Sequence, residues 1–169
     1  QNIDETAAIA EMARDAGISC EGEIGFVGYA NGDNSTGTDP DEAARFARDS
    51  GVDAMAISCG NVHLQEDKQG GLDVARIKAI EAVTDLPLVI HGGSGVPVAQ
   101  RMQLAAESRI CKFNIGTELR MAFGQALRAA VTADATRFDR VQILRETADP
   151  VKVAAMRVLT AFGAPDLRT

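Results

Sequence analysis

At 169 residues, 46% hydrophobic and 24% charged, the chain has the length and composition of one soluble globular domain with a sizeable core. The formal net charge of −7, with no basic run, argues against a nucleic-acid partner, because phosphate backbones need clustered Lys and Arg. No apolar stretch approaches membrane-spanning length and no signal peptide is visible, so no membrane partner is expected.

The elements alternate along the chain. Residues 4–16 have a helix pattern with Ile9, Met12 and Ala13 on one face and Gly17 as the stop. Residues 18–24 read as a strand, and a loop rich in Gly, Asn, Asp and Ser follows to Thr38. Asp39, Pro40, Asp41 and Glu42 supply a cap, a helix-start proline and acidic first-turn residues for a helix to Ser50, ended by Gly51. Residues 52–58 form a nearly all-apolar strand, as expected where both faces of a sheet are covered. A loop to Leu72 carries His63; residues 73–83 form a helix spaced on Val74, Ile77 and Ile80.

Residues 86–90 are the third strand, 97–108 a helix with Met102 and Leu104 as core, and 110–115 the fourth strand. A long helix opens at Thr117, its N-cap, with a core stripe of Leu119, Phe123 and Leu127. Two further helical stretches, 139–147 and 150–162, precede a loose tail from Gly163. The three cysteines, Cys20, Cys59 and Cys111, each fall in or just after a strand and read as buried free thiols. That usage fits a reducing, cytoplasmic compartment.

The αβαβαβαβα order means a parallel sheet with right-handed crossovers. An open doubly wound sheet and part of a (β/α)8 TIM barrel both satisfy it. Four βα units are half of a barrel, and every polar cluster falls after the C-terminal end of a strand, as both architectures predict for an active site. Two glycine-bearing strand ends favour the barrel, whose last loops commonly build a phosphate site. One is His91-Gly92-Gly93-Ser94-Gly95; the other is Asn114-Ile115-Gly116-Thr117. Glycine lets backbone N–H groups approach an anion, and a following helix N-terminus adds positive partial charge.

Only two histidines are present, His63 and His91, each just beyond the end of one of two consecutive strands. Alone, each reads as a loop hydrogen-bonding residue; together, on neighbouring strands, they could share a metal such as zinc. Glu21 and Glu23 share one face of the first strand, either the barrel interior or the helix side. Asn114 is placed to donate a hydrogen bond to a developing enolate oxygen.

Five segments together resemble the class II, metal-dependent fructose-bisphosphate and tagatose-bisphosphate aldolases. They are Glu21–Gly25, Gly51–Ala54, Gly60–His63, Pro87–Gly95 and Ile110–Leu119. The resemblance runs to about Phe162 and corresponds to the second half of the family's (β/α)8 barrel, about four βα units, with 134–169 as a C-terminal helical extension. It implies that a ketose 1,6-bisphosphate is cleaved reversibly to dihydroxyacetone phosphate and glyceraldehyde 3-phosphate, a step of glycolysis, through a zinc-stabilised enediolate.

By the same resemblance, His63 and His91 are zinc ligands, and Glu23 holds the metal in a displaced position. Gly92, Gly93, Ser94, Asn114, Ile115, Gly116 and Thr117 bind substrate, with Asn114 catalytic. Backbone near Val62, Gly92 and Ser94 is similar to the family's monovalent-cation (Na or K) site. A phosphorylated sugar partner and a homo-oligomer, dimer or tetramer, are implied too.

Three departures accompany the resemblance. The family's third zinc histidine and adjacent aspartate have no counterpart here and are expected upstream of Gln1. Leu64 replaces a usual glycine, and Asn31 replaces a mobile glutamate, with Asp33 as a substitute. The last two motivate an alternative, a phosphosugar-binding barrel without turnover.

Overall fold

The computed structural model describes residues 1–28, 37–61 and 71–163. It divides into two compact units, Gln1–Asn114 and Ile115–Thr169. In the first unit the order is α1 (Asn2–Asp15), β1 (Glu21–Ile24), α2 (Pro40–Ser50), β2 (Ala54–Ile57), α3 (Val74–Glu81), β3 (Leu88–Ile90), α4 (Val98–Glu107) and β4 (Ile110–Phe113). The strands form one parallel sheet in the order β1-β2-β3-β4.

That order separates the two architectures left open by the sequence. A doubly wound sheet reverses its strand order at a switch point and carries helices on both faces. Here each strand lies beside its predecessor throughout, so right-handed crossovers put every helix on the same side. This is a partial TIM barrel.

The two faces of the sheet are chemically distinct, and the register shows why. Gly22, Met55, Leu88 and Ile110 form one cross-strand row, and Ile24, Ile57, Ile90 and Phe113 another. Both rows point at the helices: Ile24, Met55, Ile57, Leu88, Ile90 and Ile110 are buried with Phe46 of α2 and Ile77 and Ile80 of α3. Gly22 is needed there for space, because a Cβ at this position would lie 2.7 Å from Phe46 Cζ. The opposite row runs Glu23, Ala56, Val89, Lys112, with Glu21 beside Ala54. Both glutamates therefore face away from the helices, which in a barrel is the interior.

A β-bulge sets the fourth strand. Leu88 pairs with Ile110 but Val89 pairs with Lys112, leaving Cys111 as the extra residue. The shift lets Phe113 join the core while Lys112 turns to the opposite face. It also corrects one expectation, since Cys111 is exposed; Cys20 is half-buried and only Cys59 is fully buried.

Burial pushes the Cys59 thiol up to about 12, with Asp73 adding to the shift and Arg76 opposing it. The folded pKa lies above the unfolded one, so the neutral thiol's contribution is intact below about 8.5 and is lost as the pH rises towards 12. Alkylation in native buffer is expected to label Cys111 and to reach Cys59 only on unfolding. Equal labelling rates, read by peptide mass spectrometry, would contradict this packing.

The helix ends follow local chemistry. Asp39 caps α2, its Oδ1 accepting from the N–H groups of Asp41 (2.9 Å) and Glu42 (3.1 Å). Gly51 closes α2 in the left-handed region at φ 69°. Asp39→Ala is expected to lower stability by about 1 kcal/mol, measured as a shift in the urea midpoint. In α1 the buried positions are Ala10 and Ala13, whereas Ile9 and Met12 are exposed. The expected apolar face is corrected: α1 buries the small side chains of Ala10 and Ala13 in place of Ile9 and Met12. Met102 of α4 is likewise exposed, while Leu104 is core.

In the second unit α5 (Thr117–Ala133) packs on α6 (Arg140–Ala161). The two short helices expected after residue 139 are one continuous helix, with Pro150 in its interior. An interior proline costs about 3 kcal/mol of helix stability, and packing along α5 outweighs it. Phe123 is exposed and Leu119 and Leu127 only half-buried, so the expected stripe is not a closed core in this unit. Among the described residues no helix is long and apolar enough to cross a membrane.

Candidate active site

The non-helical face of the sheet carries a cluster of charged side chains. His91, the first residue after β3, stands between two carboxylates from β1. Its Nε2 is 3.2 Å from Glu21 Oε1, and its Nδ1 is 3.5 Å from Glu23 Oε2. Lys112 Nζ donates to Glu21 Oε2 at 2.7 Å. In a flat sheet β1 and β4 would stand about 14 Å apart, so the contact between Glu21 and Lys112 reflects a sheet curved towards this face. Ala54 and Ala56 on β2, one of the two strands between them, are small side chains on this face and leave room for the long ones.

Burial pushes the Glu21 carboxyl up. The hydrogen bonds and charges of Lys112 and His91 together outweigh that effect and hold it below the ordinary carboxylate range. Glu21 is therefore a carboxylate at neutral pH, which suits it to accept from both neighbours.

The turn after His91 is built by glycine. Gly92 sits in the left-handed region at φ 64°, and Gly93–Gly95 form a buried 3₁₀ turn. Asn114 N–H donates to Ile90 O at 2.8 Å, and Gly93 N–H donates to Asn114 O at 3.1 Å. These bonds extend the β3–β4 pairing beyond the strands and bring Asn114 against the glycine turn. Gly95 N–H donates to Gly92 O, so the N–H groups of Gly93 and Gly95 are both engaged within the chain. Ser94 is buried in the same turn.

Two residues here were not anticipated. Lys112 escaped because strict alternation places it on the face of Ile110, and only the bulge turns it over. Asn61 is the other: its Nδ2 donates to His91 O at 2.9 Å, and its Oδ1 accepts from Cys59 N–H at 2.7 Å. It is 2% exposed and ties the end of β2 to the residue bearing the imidazole. Its position in Gly60-Asn61-Val62-His63 was the available signal.

His63 lies outside the described residues, as do Val62, Leu64, Asn31 and Asp33. Glu23, His91, Gly92, Gly93, Ser94 and Asn114 are all in the first unit, and Glu23 meets His91 directly. Ile115, Gly116 and Thr117 belong to the second unit. There the helix cap is Gly116, not Thr117, which is the first residue of α5; its Oγ1 lies 3.4 Å from the Arg120 guanidinium.

The donors present fit part of a zinc site. Two ligands about 2.0–2.1 Å from a tetrahedral ion stand about 3.3 Å apart, and His91 Nδ1 and Glu23 Oε2 are 3.5 Å apart. Among the described residues no group of three or more His, Cys, Asp or Glu forms a complete site. The imidazole lies between Glu21 and Glu23, with one carboxylate at each ring nitrogen.

A sequence model for class-II fructose-bisphosphate aldolases matches residues 1–166. The chain is 30% identical over 168 residues to the fructose-bisphosphate aldolase of Geobacillus stearothermophilus, covering 97% of this chain and 58% of that protein. It is 33% identical over 167 residues to the 6-phospho-5-dehydro-2-deoxy-D-gluconate aldolase of Shouchella clausii, covering 97% and 57%. Among solved structures, the YdjI aldolase of Escherichia coli K12 superposes with a TM-score of 0.75 at 31% identity, over 98% of this chain and 56% of that one. The chain thus spans somewhat more than half the length of the relatives it matches.

Proposed function

The chain belongs to the class-II fructose-bisphosphate aldolase family, and from that premise we propose that it forms the phosphate-side half of a zinc-dependent aldolase barrel. The reaction is reversible cleavage of a ketose 1,6-bisphosphate, of fructose or tagatose type, to dihydroxyacetone phosphate and glyceraldehyde 3-phosphate. The protein would act in the cytoplasm, in glycolytic carbohydrate metabolism, as a homodimer or homotetramer. Residues 1–169 would belong to one barrel domain, with 134–169 as its helical extension.

The observation that supports this most is the approach of Glu23 to His91 at the C-terminal ends of parallel strands, beside the glycine turn and Asn114. His91 and His63 would hold zinc, with Glu23 as the ligand for a displaced position. Bound there, zinc supplies Lewis-acid polarisation of the substrate's carbonyl. Gly92, Gly93 and Ser94 would bind the phosphate side of the substrate, the Ser94 hydroxyl as a donor while the Gly93 N–H stays bonded to Asn114 O. Ile115, Gly116 and Thr117 are also assigned to substrate binding. Asn114 would donate a hydrogen bond to the oxygen on which negative charge grows as the carbon–carbon bond breaks. A monovalent cation near Val62, Gly92 and Ser94 would help balance the phosphate charge.

A complete gene product carrying these residues, loaded with zinc, should release triose phosphates from fructose or tagatose bisphosphate in a coupled assay. Chelator should suppress the release and added zinc restore it. The similarity to the Shouchella clausii enzyme favours including 6-phospho-5-dehydro-2-deoxy-D-gluconate in the panel. Cleavage of that compound alone would move the substrate to a sugar-acid monophosphate. Tight phosphosugar binding with no cleavage would leave a binding barrel without turnover, and chelator-insensitive conversion would point to an isomerase.

A further inference from the structure

We propose that Glu21, fixed by Lys112, is a positioning residue that sets which nitrogen of His91 carries the proton and so presents the other to the metal. The inference rests on the zinc assignment above and goes beyond it in naming what orients the ligand. A neutral imidazole has one N–H donor and one acceptor nitrogen, so the carboxylates on its two sides cannot both accept from it. The geometry is unequal. Glu21 Oε1 lies at 3.2 Å from Nε2, within hydrogen-bonding distance, while Glu23 Oε2 lies 3.5 Å from Nδ1, at the outer limit.

The supports are unequal as well. Glu21 is anchored through its second oxygen by Lys112 at 2.7 Å, and its side chain is 28% exposed against 45% for Glu23. Glu21 is therefore the better-held acceptor for a proton on Nε2. Nδ1 is then left with its lone pair on the side of Glu23, where the two atoms stand at a spacing suited to a shared ion. A ligating histidine whose other nitrogen donates to a carboxylate is held in one tautomer and orientation, and loss of such a partner typically costs 10–100-fold in metal affinity. Lys112 owes its part to the bulge at Cys111, without which it would face the helices.

The test uses the metal-free protein with ¹⁵N-labelled histidine in alkaline buffer, where imidazole is neutral. Long-range proton–nitrogen correlations then report the tautomer of His91, and competition with a chelating dye reports zinc affinity. Wild type should carry the proton on Nε2. Glu21→Ala should abolish that preference and weaken zinc binding about 10–100-fold. Glu21→Gln, which keeps an acceptor oxygen, should restore much of the preference, and Lys112→Met should fall between. Circular dichroism identifies any variant that has failed to fold, and Glu21→Gln, nearly isosteric, then carries the test.

An unchanged tautomer and unchanged zinc affinity in folded Glu21→Ala would overturn the proposal while leaving zinc binding itself intact. A wild type that shows the Nε2 proton but binds no zinc would remove the metal assignment and leave the Glu21–His91 contact standing.

Discussion

In the proposed zinc-dependent aldolase, His91→Ala is expected to abolish zinc retention and to lower aldol cleavage by about a thousandfold, the equivalent of about 4 kcal/mol in the barrier. The size follows from position. His91 is the only described residue that offers an imidazole beyond the end of a strand, and its backbone is held by Asn61 at 2.9 Å. Replacing the ring removes the proposed zinc ligand while leaving that backbone bond in place, so the fold should persist. It also leaves Glu21 and Glu23 facing each other across the gap, two carboxylates with no imidazole between them. Added zinc should not rescue the variant. Dialysis followed by metal analysis, with a triose-phosphate assay on the same sample, checks both halves. Near-normal turnover in a zinc-free His91→Ala protein would remove the metal from the reaction.

The second large effect concerns stability. Phe46→Ala is expected to destabilise the protein by about 3–5 kcal/mol, a large share of the roughly 5–15 kcal/mol typical of a domain. Phe46 is 0% exposed and is the side chain that fills the space Gly22 leaves open. The reciprocal change, Gly22→Ala, puts a methyl 2.7 Å from Phe46 Cζ and 3.0 Å from Val52 Cγ1. It should cost about 1–3 kcal/mol by overpacking. In the double variant the new methyl occupies part of the cavity, so the two costs should fall short of their sum. Urea unfolding of the four proteins gives the coupling directly, and strict additivity would show that the two residues do not share the contact.

Both predictions concern residues whose importance was unequally visible beforehand. His91 stood out as one of two histidines, followed by Gly92-Gly93-Ser94-Gly95. Phe46 was one apolar residue among several on a predicted helix, and nothing in the period of that helix marks it as the partner of a glycine. The charged cluster was half-legible: Glu21 and Glu23 were grouped by alternation, but whether they faced interior or helices stayed open. Register answers it, because Glu23 pairs with Ala56 while Gly22 and Ile24 pair with the buried Met55 and Ile57.

The sequence by itself determined whatever depends on a few neighbouring residues. The strand–helix alternation follows from runs of apolar and β-branched residues broken by Gly17, Gly51 and the polar loops. The start of α2 follows from Asp39 and Pro40, and the turn after β3 from its glycines, because caps and left-handed backbone are local chemistry. Tertiary structure decided what depends on competition between distant groups. The strand order β1-β2-β3-β4 chose the barrel over the open sheet. Packing on α5 carried α6 through Pro150, which local propensity breaks. At β4, simple alternation would set Lys112 on the same face as Ile110. Packing Phe113, partly buried, beside Ile90 instead required one extra residue, and that bulge turned Lys112 to the face where Glu21 waits. A period-two pattern cannot register an inserted residue, because whether the insertion occurs is settled by the energy of packing an aromatic ring against strands and helices far away in the chain.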